Sequence, residues 1–215
     1  MIAIQNLSMR FGEETRISYE DFTFENGSSY VILGPSGCGK STLLNLIAGI
    51  LAPTDGSVLF DGRDMANASQ RERDAFRIGH IGYIFQDFKL LEGMSVEDNL
   101  RVLSLEKIDL SGMDGALESL GIRHLKKRVV RRLSGGEKQR VAIVRALMLR
   151  PEVILADEPT GNLNFEIGSA VVDRLLEVSR GRTLIAVTHD DRLAPRFDHV
   201  LDMESLSRAE VIARV

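Results

Sequence analysis

Apolar and polar residues alternate over Ile2–Met9 and again over Arg16–Phe24, on either side of a Phe11-Gly12-Glu13-Glu14 turn. Alternation of period two predicts strands with one buried face, so the chain opens as an antiparallel pair. Tyr30–Leu33 is a short apolar strand running into GPSGCGKST. The LLNLIAGIL that follows carries apolar residues on nearly every side, as a buried helix does. Ser57–Phe60 and His80–Phe85 read as further strands.

Beyond Ser95 the period becomes helical. Ser95-Val96-Glu97-Asp98 opens one helix with an N-cap and early acids, and Met113–Leu120 forms a second. Ser134-Gly135-Gly136-Glu137 fits the S-x-x-E capping box and opens a third, Glu137–Leu149, which Pro151 stops. Val153–Ala156, Thr183–Val187, His199–Met203 and Glu210–Val215 read as strands, and Phe165–Ser179 as a helix. Strands alternating with helices predict an α/β fold, a mainly parallel sheet with helices on both faces. The expected organisation is a single domain over residues 1–215. Its core comes from 1–90 and 153–215, with a helical lobe inserted at 91–152.

Composition changes this picture little. The 215 residues, 44% hydrophobic and 27% charged, suit one globular domain. A net charge of −4 gives no bulk attraction to nucleic acid or anionic membrane. The single cysteine, Cys38, excludes an intramolecular disulfide and suits a reducing compartment. No apolar run reaches the roughly 18 residues of a membrane span, and MIAIQNLSMRF is not a secretory leader. The expectation is a cytoplasmic protein that meets a membrane only through a partner.

Candidate chemistry changes it more. Gly34-Pro35-Ser36-Gly37-Cys38-Gly39-Lys40-Ser41 fits G-x-x-x-x-G-K-[ST]. Glycines let backbone N–H groups converge on phosphates, Lys40 reaches the β- and γ-phosphates, and the Ser41 hydroxyl ligates Mg²⁺. Val153–Ala156 ends in Asp157-Glu158, carboxylates at the strand end where a parallel sheet binds ligands. Asp157 is placed to hold Mg²⁺, and Glu158 to polarise the water that attacks a γ-phosphate. Gln86 and His189 follow strands in the same way, whereas His80, His124 and His199 read as structural. Ser134, Gly135 and Gly136 at a helix N-terminus make a second anion-binding feature.

Together the P-loop, Gln86, LSGGE (Leu133 to Glu137), VILADE and His189 resemble the nucleotide-binding subunit of ABC transporters, over essentially the whole chain. The resemblance implies a P-loop NTPase (RecA-like) core with an antiparallel β subdomain and an inserted α-helical lobe. It implies ATP and Mg²⁺ as cofactors, with Phe11 stacking on adenine. Gly34, Pro35, Ser36, Gly37, Cys38, Gly39, Lys40, Ser41 and Thr42 would cradle phosphates, and Ser41, Gln86 and Asp157 would serve the metal. Glu158, His189 and Gln86 would be catalytic. It also implies a head-to-tail homodimer in which Ser134, Gly135, Gly136 and Glu137 close over the partner's ATP, and an integral membrane permease as second partner. The protein would then sit peripherally on the inner face of the cell membrane.

Gly161-Asn162-Leu163 resembles the lipoprotein-releasing, macrolide-exporting and division-associated members, and Asn164 stands where the family has aspartate. Phe88, Leu90, Leu91 and Met94 lie where the family receives its membrane subunit, or else belong to the lobe core. The alternatives are an importer ATPase, or a soluble ABC ATPase using Lys126-Lys127-Arg128 and Arg131-Arg132 on nucleic acid or ribosome. A solvated surface is the stronger reading of that basic run.

Overall fold

Two sheets organise the chain in the computed structural model, which describes residues 1–12 and 15–211. β1 (Ile2–Phe11) pairs antiparallel with β2 (Thr15–Tyr19), β3 (Phe22–Phe24) and β5 (Asp55–Phe60). With β6 (Arg63–Asp64) and β11 (Ser207–Val211) they form a 6-stranded sheet of order β11-β2-β1-β5-β6, β3 lying beside β1. The 5-stranded sheet is parallel, in the order β10 (His199–Asp202), β4 (Ser29–Leu33), β9 (Thr183–Thr188), β8 (Val153–Asp157), β7 (Ile81–Ile84).

Arg16–Phe24 is therefore two strands rather than one. Asn6 takes a positive φ of 49° within β1, and its amide donates to Asp21 Oδ1 at 2.6 Å. β1 bends there, so one partner segment serves residues 8–11 and the other residues 2–4. Phe11 closes β1 instead of entering a turn. Of the expected turn and the expected last strand, Glu13, Glu14 and residues 212–215 lie outside the described residues.

A helix that the apolar pattern does not announce, α2 (Gln70–His80), precedes β7. Ser69 and Glu72 cap it reciprocally, and none of its residues is buried. His80 thus ends a helix instead of opening a strand. It bonds Glu152 at 3.0 Å and stacks on Phe76. Met203 likewise begins a short helix, Met203–Leu206, instead of ending β10.

The faces of the parallel sheet divide the core by the period-two rule. Ile32, Leu155, Ile185 and Val187 pack with α1 (Lys40–Ile47) and with Ile2, Ile4 and Phe24 of the antiparallel sheet. Val31, Ile154, Ala156 and Leu184 pack against α5 (Gly135–Met148) and α6 (Phe165–Val178). Helices on both faces describes the second side. On the first, the antiparallel sheet shares the cover with α1. Val96 and Leu100 of α3 (Val96–Arg101), Leu117 of α4 (Met113–Ser119) and Ile122 are fully buried in the same cluster as α5. Each such side chain contributes about 1.5–3 kcal/mol, which ties α5 to the sheet that carries the site.

Candidate active site

β4 delivers the chain into Gly34, and two left-handed glycines, Gly37 (φ 83°) and Gly39 (φ 100°), wrap it into the start of α1. Gly39 is the N-cap and offers no side chain, so the first amides of α1 have no side-chain cap. An uncapped helix start directs partial positive charge at whatever approaches. Tyr19, buried on β2, donates its hydroxyl to Gly39 O at 3.1 Å and fixes the loop from below. Burial pushes that phenol above its ordinary range.

A cavity of about 420 Å³ opens over this loop. Phe11, Thr15 and Ile17 line it from the antiparallel sheet, Ser36, Gly37, Gly39, Lys40, Ser41 and Thr42 from the P-loop, and Gln86, Glu158 and His189 from beyond strands β7, β8 and β9. Phe11 is 42% exposed, a ring without a packed role of its own. Gly34 and Pro35 enter through their carbonyls, which accept from Lys40 Nζ at 2.7 and 3.0 Å. Cys38 packs its sulfur against Gly34.

Lys40, Glu158 and His189 meet on the floor. Lys40 Nζ stands 3.5 Å from Glu158 Oε1, with the two side chains only 6% and 9% exposed. Glu158 Oε2 lies 2.9 Å from His189 Nδ1, so the carboxylate is held from both sides. Glu158 itself adopts φ 44°, a left-handed backbone that non-glycine residues seldom take and that concentrates at functional sites. Ser41 Oγ donates to Asp157 Oδ1 at 2.8 Å. Burial, ahead of the neighbouring Glu158 charge, holds the Asp157 carboxyl above the ordinary aspartate range. A hydroxyl and a buried carboxylate in contact, short of compensating charge, form a donor set that suits a hard divalent cation.

The second anion feature does not line this cavity: none of Ser134, Gly135, Gly136 and Glu137 is among its walls. Ser134 caps α5, accepting from the Glu137 amide at 3.3 Å, while Glu137 Oε2 accepts from the Ser134 amide at 2.7 Å. Asn164 caps α6 by accepting from the Ile167 amide at 3.0 Å. Asparagine and aspartate cap helices about equally well, so the departure at this position costs the fold nothing.

Lys126 and Lys127 of the basic run pair with Asp114 and Glu97. An apolar groove lies beside Phe85 and is not lined by Phe88, Leu90, Leu91 or Met94, of which Leu91 and Met94 are exposed. It is a cavity of about 280 Å³ walled by Ile78, Ile81, Tyr83, Phe85, Leu103, Ala146 and Leu149, with Arg77, Lys89 and Arg145 among them. Leu90 packs instead on the lobe core. The sequence reading missed Thr15, Ile17 and Tyr19, and Arg145, which donates to the Phe88 and Lys89 carbonyls; Asn162, read only as part of Gly161-Asn162-Leu163, donates to the Gln86 carbonyl. The only local signal was alternation that turns Ile17 and Tyr19 inward.

Comparison with known proteins agrees with this geometry. The ABC transporter family model matches residues 18–161. An uncharacterised ABC transporter ATP-binding protein of Mycobacterium tuberculosis is 40% identical, covering 95% of this chain and 87% of the relative. The lipoprotein-releasing system ATP-binding protein LolD of Nitratidesulfovibrio vulgaris is 42% identical over 86% of this chain and 82% of its own. Among solved structures, a dimeric ATP-binding cassette in a post-hydrolysis state with ADP and phosphate superposes with a TM-score of 0.81 at 30% identity, covering 100% of both chains. The chain belongs to the ABC transporter family and is one of its ATP-binding, ATP-hydrolysing subunits.

Proposed function

We propose that two copies of this chain close head to tail on ATP and that the closure drives a separate membrane subunit, in export, lipoprotein release or mechanotransmission. One observation supports the reading: Lys40, Ser41, Gln86, Glu158 and His189 line one cavity, and the capped start of α5 at Ser134, Gly135 and Gly136 lies outside it. A site that does not serve its own nucleotide serves another copy's. The dimeric cassette among the structural relatives supports the arrangement, and the relatives that release lipoproteins support the class of work.

Phe11 stacks on the adenine, and the P-loop amides and Lys40 take the phosphates. Lys40 exchanges the Gly34 and Pro35 carbonyls for phosphate oxygens. Ser41, Asp157 and Gln86 would hold Mg²⁺, which supplies charge neutralisation at the β- and γ-oxygens. Among the described residues no group of three or more acids, histidines or cysteines could hold a metal, so Ser41, Asp157 and Gln86 would hold the ion only together with the nucleotide. Glu158, oriented by His189, takes the proton of the attacking water. The new P–O bond forms as the bond to the β,γ-bridging oxygen breaks, leaving ADP and phosphate. Ser134 and the Gly135 and Gly136 amides of the opposite copy then lose the γ-phosphate that held the halves together.

The groove walled by Tyr83, Phe85 and Leu103 is where the membrane subunit docks, as an amphipathic segment whose acids meet Arg77 and Lys89. No helix among the described residues is long and apolar enough to cross a membrane, so attachment runs through that subunit, at the inner face of the membrane. Tagged protein from detergent-solubilised membranes of its own host should bring down a polytopic membrane protein in stoichiometric amount. Leu103→Glu should lose that protein yet still dimerise on ATP. Recovery with DNA or ribosomes alone, or undiminished recovery with Leu103→Glu, contradicts the reading.

A further inference from the structure

The inward face of β2 carries Thr15, Ile17 and Tyr19, each two residues from the next. Thr15, paired in register with Phe11, and Ile17 line the cavity; Tyr19 does not. It is 4% exposed and reaches the phosphate loop from outside the cavity walls, its hydroxyl donating to the Gly39 carbonyl at 3.1 Å. Strand and loop touch here with no side chain between them. A Cβ on Gly39 would stand 3.2 Å from the Tyr19 hydroxyl oxygen and 3.2 Å from Ile17 Cδ1.

The Gly39 carbonyl already accepts from the Leu43 amide at 2.9 Å, the opening bond of α1. Tyr19 is therefore a second donor on a group that the helix has satisfied, using the remaining lone pair. What it adds is felt at the other end of the same peptide unit. Lys40 is the first residue of α1, so its N–H has no partner within the helix. A donor on a carbonyl draws electron density from the N–H of that peptide, and bonds in such a chain strengthen one another by roughly 10–30% each. Two donors also hold the plane of a peptide that follows a left-handed residue, Gly39 at φ 100°. Burial, ahead of the nearby Cys38, pushes the Tyr19 phenol above its ordinary range, so it remains a donor at neutral and mildly alkaline pH.

We propose that Tyr19 is a positioning residue for nucleotide binding, whose hydroxyl sets the Gly39–Lys40 peptide and strengthens the Lys40 N–H as a donor to phosphate. The proposal rests on the reading of Gly34 to Ser41 as the phosphate loop, which Lys40→Ala tests separately.

Tyr19→Phe removes the hydroxyl and keeps the ring. The loop holds phosphate alike before and during the reaction, so the purified variant should bind Mg-ADP about fivefold more weakly. Its KM for ATP should rise by about the same factor with kcat within about twofold, the pattern of lost uniform binding. With ¹⁵N-lysine labelling, the Lys40 amide proton of the ADP complex should move upfield relative to the parent. Tyr30→Phe serves as control: this buried hydroxyl accepts from the Glu25 amide at 2.8 Å and lies away from the cavity. It should lower the melting temperature at least as much as Tyr19→Phe and leave ADP affinity unchanged. Parental ADP affinity in Tyr19→Phe, an unmoved Lys40 amide, or an equal loss of affinity in Tyr30→Phe would each overturn the proposal while Lys40→Ala still weakens binding. Parental affinity in Lys40→Ala would instead bring down the phosphate-loop reading, and the proposal with it.

Discussion

Two helix starts in this chain present backbone amides in different ways, and glycine serves each for a different reason. At α1 the glycines supply conformation: Gly37 has φ 83°, and a Cβ there would meet nothing within 4 Å. At α5 neither Gly135 nor Gly136 has a positive φ. They supply clearance, since a Cβ on Gly135 would stand 2.9 Å from Leu163 and one on Gly136 2.7 Å from Ile167 Cγ2. The ends also differ in what they have left to give. α1 starts on Gly39 with no side-chain cap, whereas α5 spends the Glu137 and Ser134 amides on its own capping box. The first can grip a polyphosphate alone with Lys40 beside it. The second keeps the Gly135 and Gly136 amides, fewer donors than a polyphosphate takes.

The contrast breaks most sharply at the glycines. Gly37→Ala should weaken ATP binding by about tenfold or more, with no neighbour whose truncation restores it, because the strain lies in the backbone. Gly136→Ala should weaken ATP-driven dimerisation by about tenfold, a typical overpacking cost, and Ile167→Ala should restore most of it. ATP titration for the first and sedimentation of a hydrolysis-deficient background for the second check both. Rescue of Gly37→Ala, or none for Gly136→Ala, removes the distinction between conformation and clearance.

A smaller effect sharpens the same contrast from the side of the metal. The Asp157 pKa is raised in the fold, chiefly by burial, so the folded state binds its proton more tightly than the unfolded state does. Stability then falls as pH rises from the unfolded pKa through the folded one, and the cost remains in full at neutral pH. Asp157→Asn keeps an acceptor for Ser41 and removes that cost. It should melt about 2–4 °C higher, as ~1 kcal/mol does for a chain of this size, while ATP turnover is lost. The gain should shrink as pH drops through the carboxylate range. A lower melting point at neutral pH contradicts the placement of an uncompensated carboxylate.

Most of the first site was legible because its chemistry is local: the P-loop is one run of residues and Asp157-Glu158 another, each with strand or helix context that the hydrophobic pattern supplies. Gln86 and His189 needed only their strand ends. The illegible parts are long-range or polar. α2 buries nothing, so its charged run reads as loop although Ser69-Gln70-Arg71-Glu72 carries a capping box. The groove draws on α2, β7, the turn at Leu103 and α5, which no reading of residues 88–94 can assemble. Arg145 reaches the Phe88 and Lys89 carbonyls across 57 and 56 residues, and nothing around it in sequence marks it as different from other helical arginines.

Whether Ser134 serves the ATP of a second copy is tested most directly by the protein's mass in solution. Glu158→Gln with Mg-ATP should sediment as a dimer, because the nucleotide that glues the halves is no longer consumed. Adding Ser134→Arg should return the protein to monomers that still bind ATP one per chain. A double variant that remains dimeric on ATP, or a monomer that has lost its own nucleotide, would place Ser134 elsewhere and contradict the account.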